Sequence, residues 1–549
     1  MNSKNFLNNN NQENSNFNNN LKNEGNQNYI NPFYNINQLN YPSFENDNNI
    51  NQYNNHNNNN YNNINNYNQN YNNYNLNNKF NNFNINQQNS NYNNINNNNC
   101  NNYNNNLNNN MNYNNYNNNY YQNNNNKQFN SYDKIPQVNE ENNIDNSDII
   151  DLIKTMAVLN SINNNNWKDS IKSFVSTLYY NGYSYGFSKK FDKDSMVLPL
   201  YIFNNKINNV IRDEILFRLK SFIYMSYRSS LINLSNLGLE NCTSDCGWGC
   251  MLRCCQMLLS KGLIQKKIFD FFSQGNGLVN NDIMTKIRKE VLCLFNDNYL
   301  NLELVREHPD FENFWRKYEN IARNEPAYNS ISEIIPPYSI HILCKLGNFA
   351  GKFTSNIKII NLLCKINSYL FNNIKLLHFE SGDISRKQLL NSLCEECIDF
   401  NNKDIIEYNG VDYQFKNPGI IFISLRLGLY NLDPSFYDFI PLIFSKFRNN
   451  FGFVGGKKDR AYYFIGVQGD SKLIFVDPHL NQQMNNDFEK DYESYYTENL
   501  YLLDIKELTS SFTFAIGIFN SNQFSQFIED LKWFDKNNEY NKFIYFGKN

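Results

Sequence analysis

The sequence predicts an α+β fold with an antiparallel sheet, preceded by a long segment that forms no core. Seventy of the first 130 residues are asparagine, and such a segment cannot bury enough apolar surface to offset the entropy cost of ordering it. From residue 144 onward, helical patterns come first and strand patterns follow, which is typical of α+β domains. We therefore expect a disordered Asn-rich region over residues 1–140 and one folded domain with insertions over residues 144–549.

The first folded segments are mostly helical. The apolar run 197–203 predicts a short strand, whereas residues 212–231 carry apolar side chains at helical spacing and predict a helix. A loop rich in turn formers follows. The next helix begins at Cys250, and Ser244 and Asp245 precede it at positions that could cap its start.

The strand patterns lie in the last third of the chain. Residues 286–400 look largely helical, with one break at Pro336 and Pro337. The later elements are a β-rich segment over 419–429, a hairpin over 461–479 with its turn at 468–471, a strand over 511–519, and a short helix ending near Trp533.

Composition excludes several classes of protein. The formal net charge of −3 gives no indication of a nucleic-acid partner, and no apolar run is long enough for a membrane span. The N-terminus, MNSKNFLNNN, lacks the apolar core of a signal peptide. We expect a soluble cytoplasmic protein, in which the eleven cysteines are reduced thiols.

Four cysteines crowd residues 243–258, namely Cys246, Cys250, Cys254 and Cys255. The odd total and the reducing compartment disfavour disulfides. With Cys242, three of them recur every fourth residue, but Gly247 and Gly249 disfavour the continuous helix that would align them as zinc ligands. Cys394 and Cys397 form a lone pair in a stretch of amphipathic helical pattern, for which packing is the better account. No metal and no cofactor is expected.

Cys250 fits the requirements of a nucleophile. It would lie in the first turn of a helix, where free N–H groups and the helix dipole favour the thiolate. The glycines that flank Trp248 let a substrate chain approach closely, and the indole can wall a narrow slot. Cys254 and Cys255, one turn deeper, are predicted to be buried small hydrophobes.

His479 is the best candidate for the base. It ends a predicted strand and follows Asp477 by two residues, so both side chains point the same way. Pro478 holds Asp477 in the extended region, and the carboxylate can fix the imidazole tautomer and stabilise the imidazolium. The other histidines are predicted to lie in the Asn-rich region, in a charged helical segment and in two apolar helical runs: His56, His308, His341 and His378.

Two long segments resemble the autophagins, the cysteine peptidases that process and delipidate the ubiquitin-like modifier of autophagy. They are TSDCGWGCMLRCCQML and GGKKDRAYYFIGVQGDSKLIFVDPH. Shorter matches are LPLYIF, FIYMSYRSSL, FISLRLGL and FTFAIGIF, and the resemblance covers roughly residues 197–533 with interruptions. It implies a papain-like cysteine peptidase fold, with a helical lobe and an antiparallel sheet.

The resemblance also implies roles for individual residues. Cys250 is the nucleophile, His479 the general base and acid, and Asp477 the orienting carboxylate. Tyr227 matches the family tyrosine whose hydroxyl, with the N–H of the nucleophile, holds the oxyanion. Arg426 stands where the family has a substrate-contacting arginine, although a structural arginine at a sheet edge is an equal alternative.

Two positions depart from the family pattern. Ile334 replaces a tryptophan and Lys458 replaces a proline in the segments that close over the family's cleft. We expect a gate that closes with charge in place of an aromatic–proline stack. With Trp248 and Arg426, these two residues are the predicted substrate contacts.

The implied activity is that of a cysteine endopeptidase that cleaves after a C-terminal glycine of the autophagy modifier. The partner would be the modifier, free or conjugated to phosphatidylethanolamine, with transient membrane contact through the lipidated substrate. Two alternatives remain: a papain-like deconjugase of another ubiquitin-like protein, and an inactive Asn-rich scaffold.

Overall fold

The structure is a computed structural model, and it describes residues 147, 152–153, 156, 189–191, 197–203, 205–207, 212–231, 243–312, 316–317, 333–397, 405–408, 410–485, 487–537 and 544–547. The Asn-rich segment for which we predict disorder, 1–140, lies outside these residues. Among the described residues, none of the helices combines the length and the apolar character needed to cross a membrane.

The helices of the described part are, in chain order, α1 Arg212–Leu219, α2 Cys250–Ser273, α3 Asn281–Leu292, α4 Leu302–Glu307, α5 Ile340–Gly347, α6 Asn356–Leu370, α7 Arg386–Leu393, α8 Phe439–Ser445, α9 Phe488–Tyr492 and α10 Ser521–Lys536. The strands are β1 Lys189–Lys190, β2 Leu200–Ile202, β3 Asn205–Ile207, β4 Tyr227–Ser229, β5 Leu300–Asn301, β6 Glu333–Ile334, β7 Lys375–Phe379, β8 Asp383–Ser385, β9 Cys394–Glu396, β10 Ile405–Tyr408, β11 Val411–Phe415, β12 Gly419–Asn431, β13 Asn450–Lys457, β14 Arg460–Gln468, β15 Lys472–Val476, β16 Asn481–Gln483, β17 Tyr501–Asp504, β18 Thr509–Ile518 and β19 Tyr545–Gly547.

A ten-stranded sheet organises the domain. Its strand order is β1-β17-β15-β14-β13-β18-β12-β7, and β2 joins the same sheet through β14 and carries β3. Every pair is antiparallel except β12 with β7. The predicted α+β class with an antiparallel sheet is therefore confirmed, as are the strands over 419–429 and 511–519 and the hairpin of β14 and β15.

Both faces of the sheet are covered by apolar cores. The sequence of strand β12 is apolar without alternation because its side chains enter both cores. Ile420 and Phe422 belong to one core, and Ile421 and Ile423 belong to the other. A strand buried on both faces needs a continuous apolar run. Helix α2 packs on β13 and β14 from one side, so the sheet holds the helix that begins at Cys250.

Helix α2 approaches the sheet most closely at Gly262. A Cβ at this position would lie 2.4 Å from Ile420 Cδ1 and 3.1 Å from Phe451 Cε2. Both neighbours are buried, so the room for a methyl group must come from a repacked core. The absence of a side chain is what lets the helix lie against β12 and β13 here.

Gly262→Ala is expected to lower the free energy of unfolding by about 1–3 kcal/mol, because overpacking a filled core costs more than the helix propensity of alanine returns. Chemical denaturation measures the change. Gly277→Ala is the matched control, since a Cβ there meets nothing within 4 Å. Equal stability of the two variants would contradict the close approach of α2 to the sheet.

The helix predicted over 212–231 is wrong beyond Leu219, where α1 ends. The following backbone N–H groups are taken by distant acceptors: Ile223 donates to Ser260 Oγ, Tyr224 to the Tyr495 carbonyl, and Tyr227 to the Pro478 carbonyl. Tertiary hydrogen bonds thus replace the helical ones, and the chain runs extended into β4. The apolar spacing did not reveal this, because the side chains stay buried in either conformation.

The prediction of a largely helical segment over 286–400 holds only in part. Strand β7 lies inside it and pairs in parallel with β12. His378 therefore lies in a strand and contacts Asn361 and Ser424 through its two ring nitrogens. Cys394 begins β9, directly after α7 ends at Leu393, so the helix predicted through Cys394 and Cys397 is also wrong.

Candidate active site

Cys250 is the first residue of α2 and is 3% exposed. Gly247 before it has φ +84°, a conformation that costs glycine little. Gly249 is the N-cap residue, and a Cβ on it would lie 2.5 Å from Asp245 Oδ2. The two glycines thus allow the tight turn that places a thiol at the start of the helix.

The structure brings His479 to the Cys250 thiol. Strand β15 ends at Val476, and Asp477 follows directly. Its Oδ1 accepts hydrogen bonds from the His479 backbone N–H at 2.9 Å and from ring Nδ1 at 2.5 Å. Because the carboxylate engages Nδ1, the other ring nitrogen is left for the thiol, and a side-chain hydrogen bond joins His479 to Cys250. The predicted arrangement of thiol, imidazole and carboxylate is therefore present in the fold.

The electrostatics favour a thiolate–imidazolium pair. Burial alone would raise the pKa of the Cys250 thiol, but the hydrogen bond and charge of His479 lower it below its ordinary 9.0, helped by the Ala461 backbone N–H and the Tyr227 hydroxyl. Burial would lower the pKa of His479, but hydrogen bonds to Asp477 and Cys250 raise it to about 9. Each group thus stabilises the charged form of the other, and the thiolate is the nucleophilic form of a cysteine.

Tyr227 also contacts the Cys250 thiol and is 2% exposed. Its hydroxyl hydrogen-bonds to Cys250, and burial with the nearby thiolate raises its pKa well above 10.0, so it stays a proton donor. Strand β4 pairs in parallel with β16, with Tyr227 opposite Asn481. The tyrosine is thereby tied to the segment that carries His479, and the two rings meet edge to face at 5.4 Å.

Sequence reasoning missed two contacts of the site. The Tyr462 ring packs against the His479 ring at 5.5 Å, on β14 next to the Ala461 N–H that reaches the thiol. Both residues lie in the hairpin that follows the Lys458 turn. A continuously apolar strand such as β14 carries no signal that one of its backbone N–H groups reaches a thiol.

A buried ion network beside the loop that precedes α2 was also missed. Arg253 is fully buried and pairs with Asp245 Oδ2 and Asp297 Oδ2, each at 2.6 Å. Asp245 Oδ1 accepts from the Arg228 backbone N–H at 2.6 Å, and Arg228 follows Tyr227 in β4. One carboxylate thus joins the loop before α2, helix α2 itself and the strand of Tyr227. The predicted capping of α2 by Ser244 or Asp245 is wrong. The N-cap residue is Gly249, and no side chain makes a capping hydrogen bond at the start of the helix.

The predicted substrate contacts lie in different surroundings. Trp248 is half-buried, and its indole N–H donates to the Ser244 carbonyl at 3.2 Å. Arg426 is exposed on β12 and donates to the Leu429 carbonyl at 3.2 Å. Lys458 is exposed in the turn between β13 and β14, with φ +52°.

Ile334 does not have the surroundings expected of a gate. It is 0% exposed, lies in β6, and pairs with Leu300 of β5. Its side chain belongs to the apolar core and presents no surface to a substrate. Contrary to the prediction, Ile334 does not close over the cleft: an isoleucine fills the core where the family pattern has a tryptophan.

The neighbouring cysteines are packing residues. Cys254 and Cys255 are 0% exposed, and burial raises the pKa of both thiols above the ordinary value. Within the described ranges, no group of three or more His, Cys, Asp or Glu side chains is placed to hold a metal ion.

Comparison with known proteins places this site in a family. The family model of the peptidase C54 catalytic domain matches residues 212–530, more than half of the chain. The chain belongs to the peptidase C54 family. It is a cysteine peptidase, and the predicted autophagin resemblance and papain-like fold are confirmed.

Similar curated proteins agree with the C54 assignment. The chain is 24% identical over 327 residues to the cysteine protease ATG4C of Xenopus tropicalis, covering 57% of this chain and 68% of that protein. It is 24% identical over 382 residues to ATG4D of Xenopus laevis, covering 66% and 77%, and 24% identical over 330 residues to human ATG4C, covering 57% and 69%. The chain is thus related to autophagy-related cysteine proteases.

Proposed function

We propose that Cys250 is the nucleophile of this C54 peptidase, His479 its general base and acid, and Asp477 the residue that orients the imidazole. The observation that carries the proposal is the contact of the Cys250 thiol with His479, which is itself held by Asp477. The thiolate attacks the scissile carbonyl carbon, and the C–N bond breaks as His479 protonates the leaving amine. Water, deprotonated by His479, then hydrolyses the thioester and frees the thiol.

The oxyanion of the tetrahedral intermediate needs donors at the thiol. We propose two donors: the Tyr227 hydroxyl, which already hydrogen-bonds to Cys250, and the backbone N–H of Cys250 at the start of α2. Both are fixed before substrate arrives, one by β4 and the other by the helix. The burial that keeps Tyr227 protonated serves this role.

Tyr227→Phe is expected to lower kcat by about 10²-fold with little change in KM, because a donor that acts on the developing charge is removed. Tyr463→Phe removes another buried hydroxyl, one that donates to the Phe451 carbonyl at 2.6 Å, and should leave the rate nearly unchanged. Steady-state kinetics on a reporter fusion compare the two. An unchanged kcat in the Tyr227 variant would remove the hydroxyl from the oxyanion site.

The proposed substrate is an autophagy ubiquitin-like modifier, cleaved after a glycine near its C-terminus. Support comes from the relatives, which are named ATG4 cysteine proteases, and from Trp248 and its flanking glycines, which favour a chain without side chains. The leaving group is a peptide tail in the precursor and phosphatidylethanolamine in the lipidated modifier. A folded partner also needs a surface beyond the pocket.

Arg426 and Lys458 are the proposed contacts outside the pocket. Strand β7 pairs with β12 only over Gly419–Ile423, so Arg426 lies on a stretch of β12 beyond that pairing. The Lys458 turn is three residues from Ala461, whose N–H reaches the thiol. The charge of Lys458 is therefore close enough along the chain to the thiol contact to interact with an entering substrate.

The test is cleavage of the modifier fused to a C-terminal reporter, and release of the modifier from phosphatidylethanolamine on vesicles. We expect both reactions with the wild-type chain and neither with Cys250→Ala. A panel of other ubiquitin-like proteins with C-terminal extensions separates this proposal from a different deconjugase. Cleavage of another modifier in preference would overturn the substrate, and persistent cleavage by Cys250→Ala would overturn the nucleophile.

A further inference from the structure

An acid-free, lysine-bearing stretch runs from the end of β6 to the end of β7. From Ile334 to Phe379 the sequence contains five lysines and no aspartate or glutamate, although the whole chain has a formal net charge of −3. Four of these lysines are exposed along α5, the connecting loop and α6: Lys345, Lys352, Lys358 and Lys365. The charge of this surface is therefore opposite to that of the chain as a whole.

The end of α5 and the loop that follows it also expose apolar side chains. Phe353 is 60% exposed and Leu346 is 38% exposed. The loop is nevertheless packed, because Phe349 is 7% exposed and covers Gly347, where a Cβ would lie 2.3 Å from its ring. The exposed phenylalanine is thus held outward by a folded loop, with Lys352 beside it.

The lysines of α6 share one face of that helix. Lys358 and Lys365 are two turns apart, with exposed Asn361 between them. The described residues offer neither Lys352 nor Lys358 a carboxylate within ion-pair distance. Glu380 accepts a hydrogen bond from Asn361 and offsets one charge on this face.

We propose that this surface, residues 345–355 with the outer face of α6, binds anionic phospholipid membranes. Lysines meet the lipid head groups, while Phe353 and Leu346 enter the boundary between head groups and acyl chains. Lysine alone would fit a nucleic acid equally well, but an exposed phenylalanine at a folded tip favours a bilayer. The inference of membrane binding depends on these residues alone. That the binding brings the enzyme to a lipidated substrate rests on the proposed function.

The experiment is flotation of the full-length chain with vesicles of phosphatidylcholine alone or of phosphatidylcholine with phosphatidylserine. We expect binding to the anionic vesicles only, weakened by salt. Phe353→Ser should reduce the bound fraction several-fold. Lys352→Glu combined with Lys358→Glu should weaken binding at least about 25-fold, since each lysine near an anionic surface contributes about fivefold.

Leu278→Ser combined with Lys286→Glu is the matched control, because Leu278 is 53% exposed and Lys286 is exposed on another part of the chain. This variant should bind like wild type. All variants should cleave a soluble reporter fusion at the wild-type rate if the proposed function holds, and loss of that cleavage would count against the function alone. Equal binding to neutral vesicles, an equal loss in the control, or binding of an RNA oligonucleotide in place of vesicles would overturn the membrane proposal.

Discussion

His479→Gln is expected to lower the rate of reporter cleavage at least about 10³-fold, because it removes both the base that forms the thiolate and the acid that protonates the leaving amine. The effect should fall on kcat, with KM little changed, since the imidazole acts on the reacting atoms and not on the bound chain. The same substitution also removes the hydrogen bond and charge that lower the pKa of Cys250. The thiol should then be neutral at pH 7.

His308→Gln is the control for this loss. His308 accepts from the Asp310 backbone N–H and contacts the Glu290 carbonyl, away from the groups assigned to the reaction, and its variant should cleave at nearly the wild-type rate. The cleavage rate of Asp477→Asn should fall between the rates of these two variants, because the amide can still hold the ring but no longer stabilises the imidazolium. A His479 variant that retained a tenth of the wild-type rate would contradict its role.

Arg253→Met is expected to lower the free energy of unfolding by about 3–5 kcal/mol, because it leaves two buried carboxylates without their partner. Both ion pairs of Arg253 are completely buried, so no solvent screens them. The displaced Asp245 should also loosen its hold on the Arg228 N–H. Chemical denaturation measures the stability, and reporter kinetics measure the accompanying loss of rate.

Arg448→Met is the matched control, since Arg448 also contacts two carboxylates, Asp530 and Glu529, but is 27% exposed at its side chain. Because solvent screens these ion pairs, Arg448→Met should lower the free energy of unfolding by only about 1 kcal/mol. A second variant, Arg253→Met with Asp245→Asn and Asp297→Asn, should recover part of the stability, because the buried charges are gone. Equal losses for Arg253→Met and Arg448→Met would contradict the account of the network.

The sequence predicted the parts of the site that depend on local chemistry. A cysteine at a helix start and the Asp477–His479 pair at a strand end are short-range patterns, and the strands of the sheet follow from apolar runs such as that of β12. The parts that were missed depend on long-range contacts. The Ala461 N–H, the Tyr462 ring and the Arg253 network act through residues far apart in the chain.

Two of the wrong predictions have the same origin. The apolar spacing over 212–231 fitted a helix, but distant acceptors took the N–H groups of Ile223, Tyr224 and Tyr227. Asp245 stands at a plausible position for a helix cap, but its carboxylate accepts a hydrogen bond from buried Arg253 instead. Ile334 was expected near the cleft from alignment with a family pattern, whereas burial places it in the core. Local sequence cannot reveal which distant partner satisfies a polar group.

The pH dependence of Cys250 alkylation by iodoacetamide, followed by mass spectrometry of the modified peptide, tests the central claim most directly. In the wild-type chain we expect labelling to rise through a pKa below the ordinary thiol value of 9.0 and to stay high at greater pH, because the thiolate persists when His479 loses its proton near pH 9. In His479→Gln, burial without the imidazolium should raise the pKa of the thiol, and labelling at neutral pH should disappear. A wild-type inflection at or above 9, or a profile that His479→Gln leaves unchanged, would contradict the thiolate–imidazolium pair.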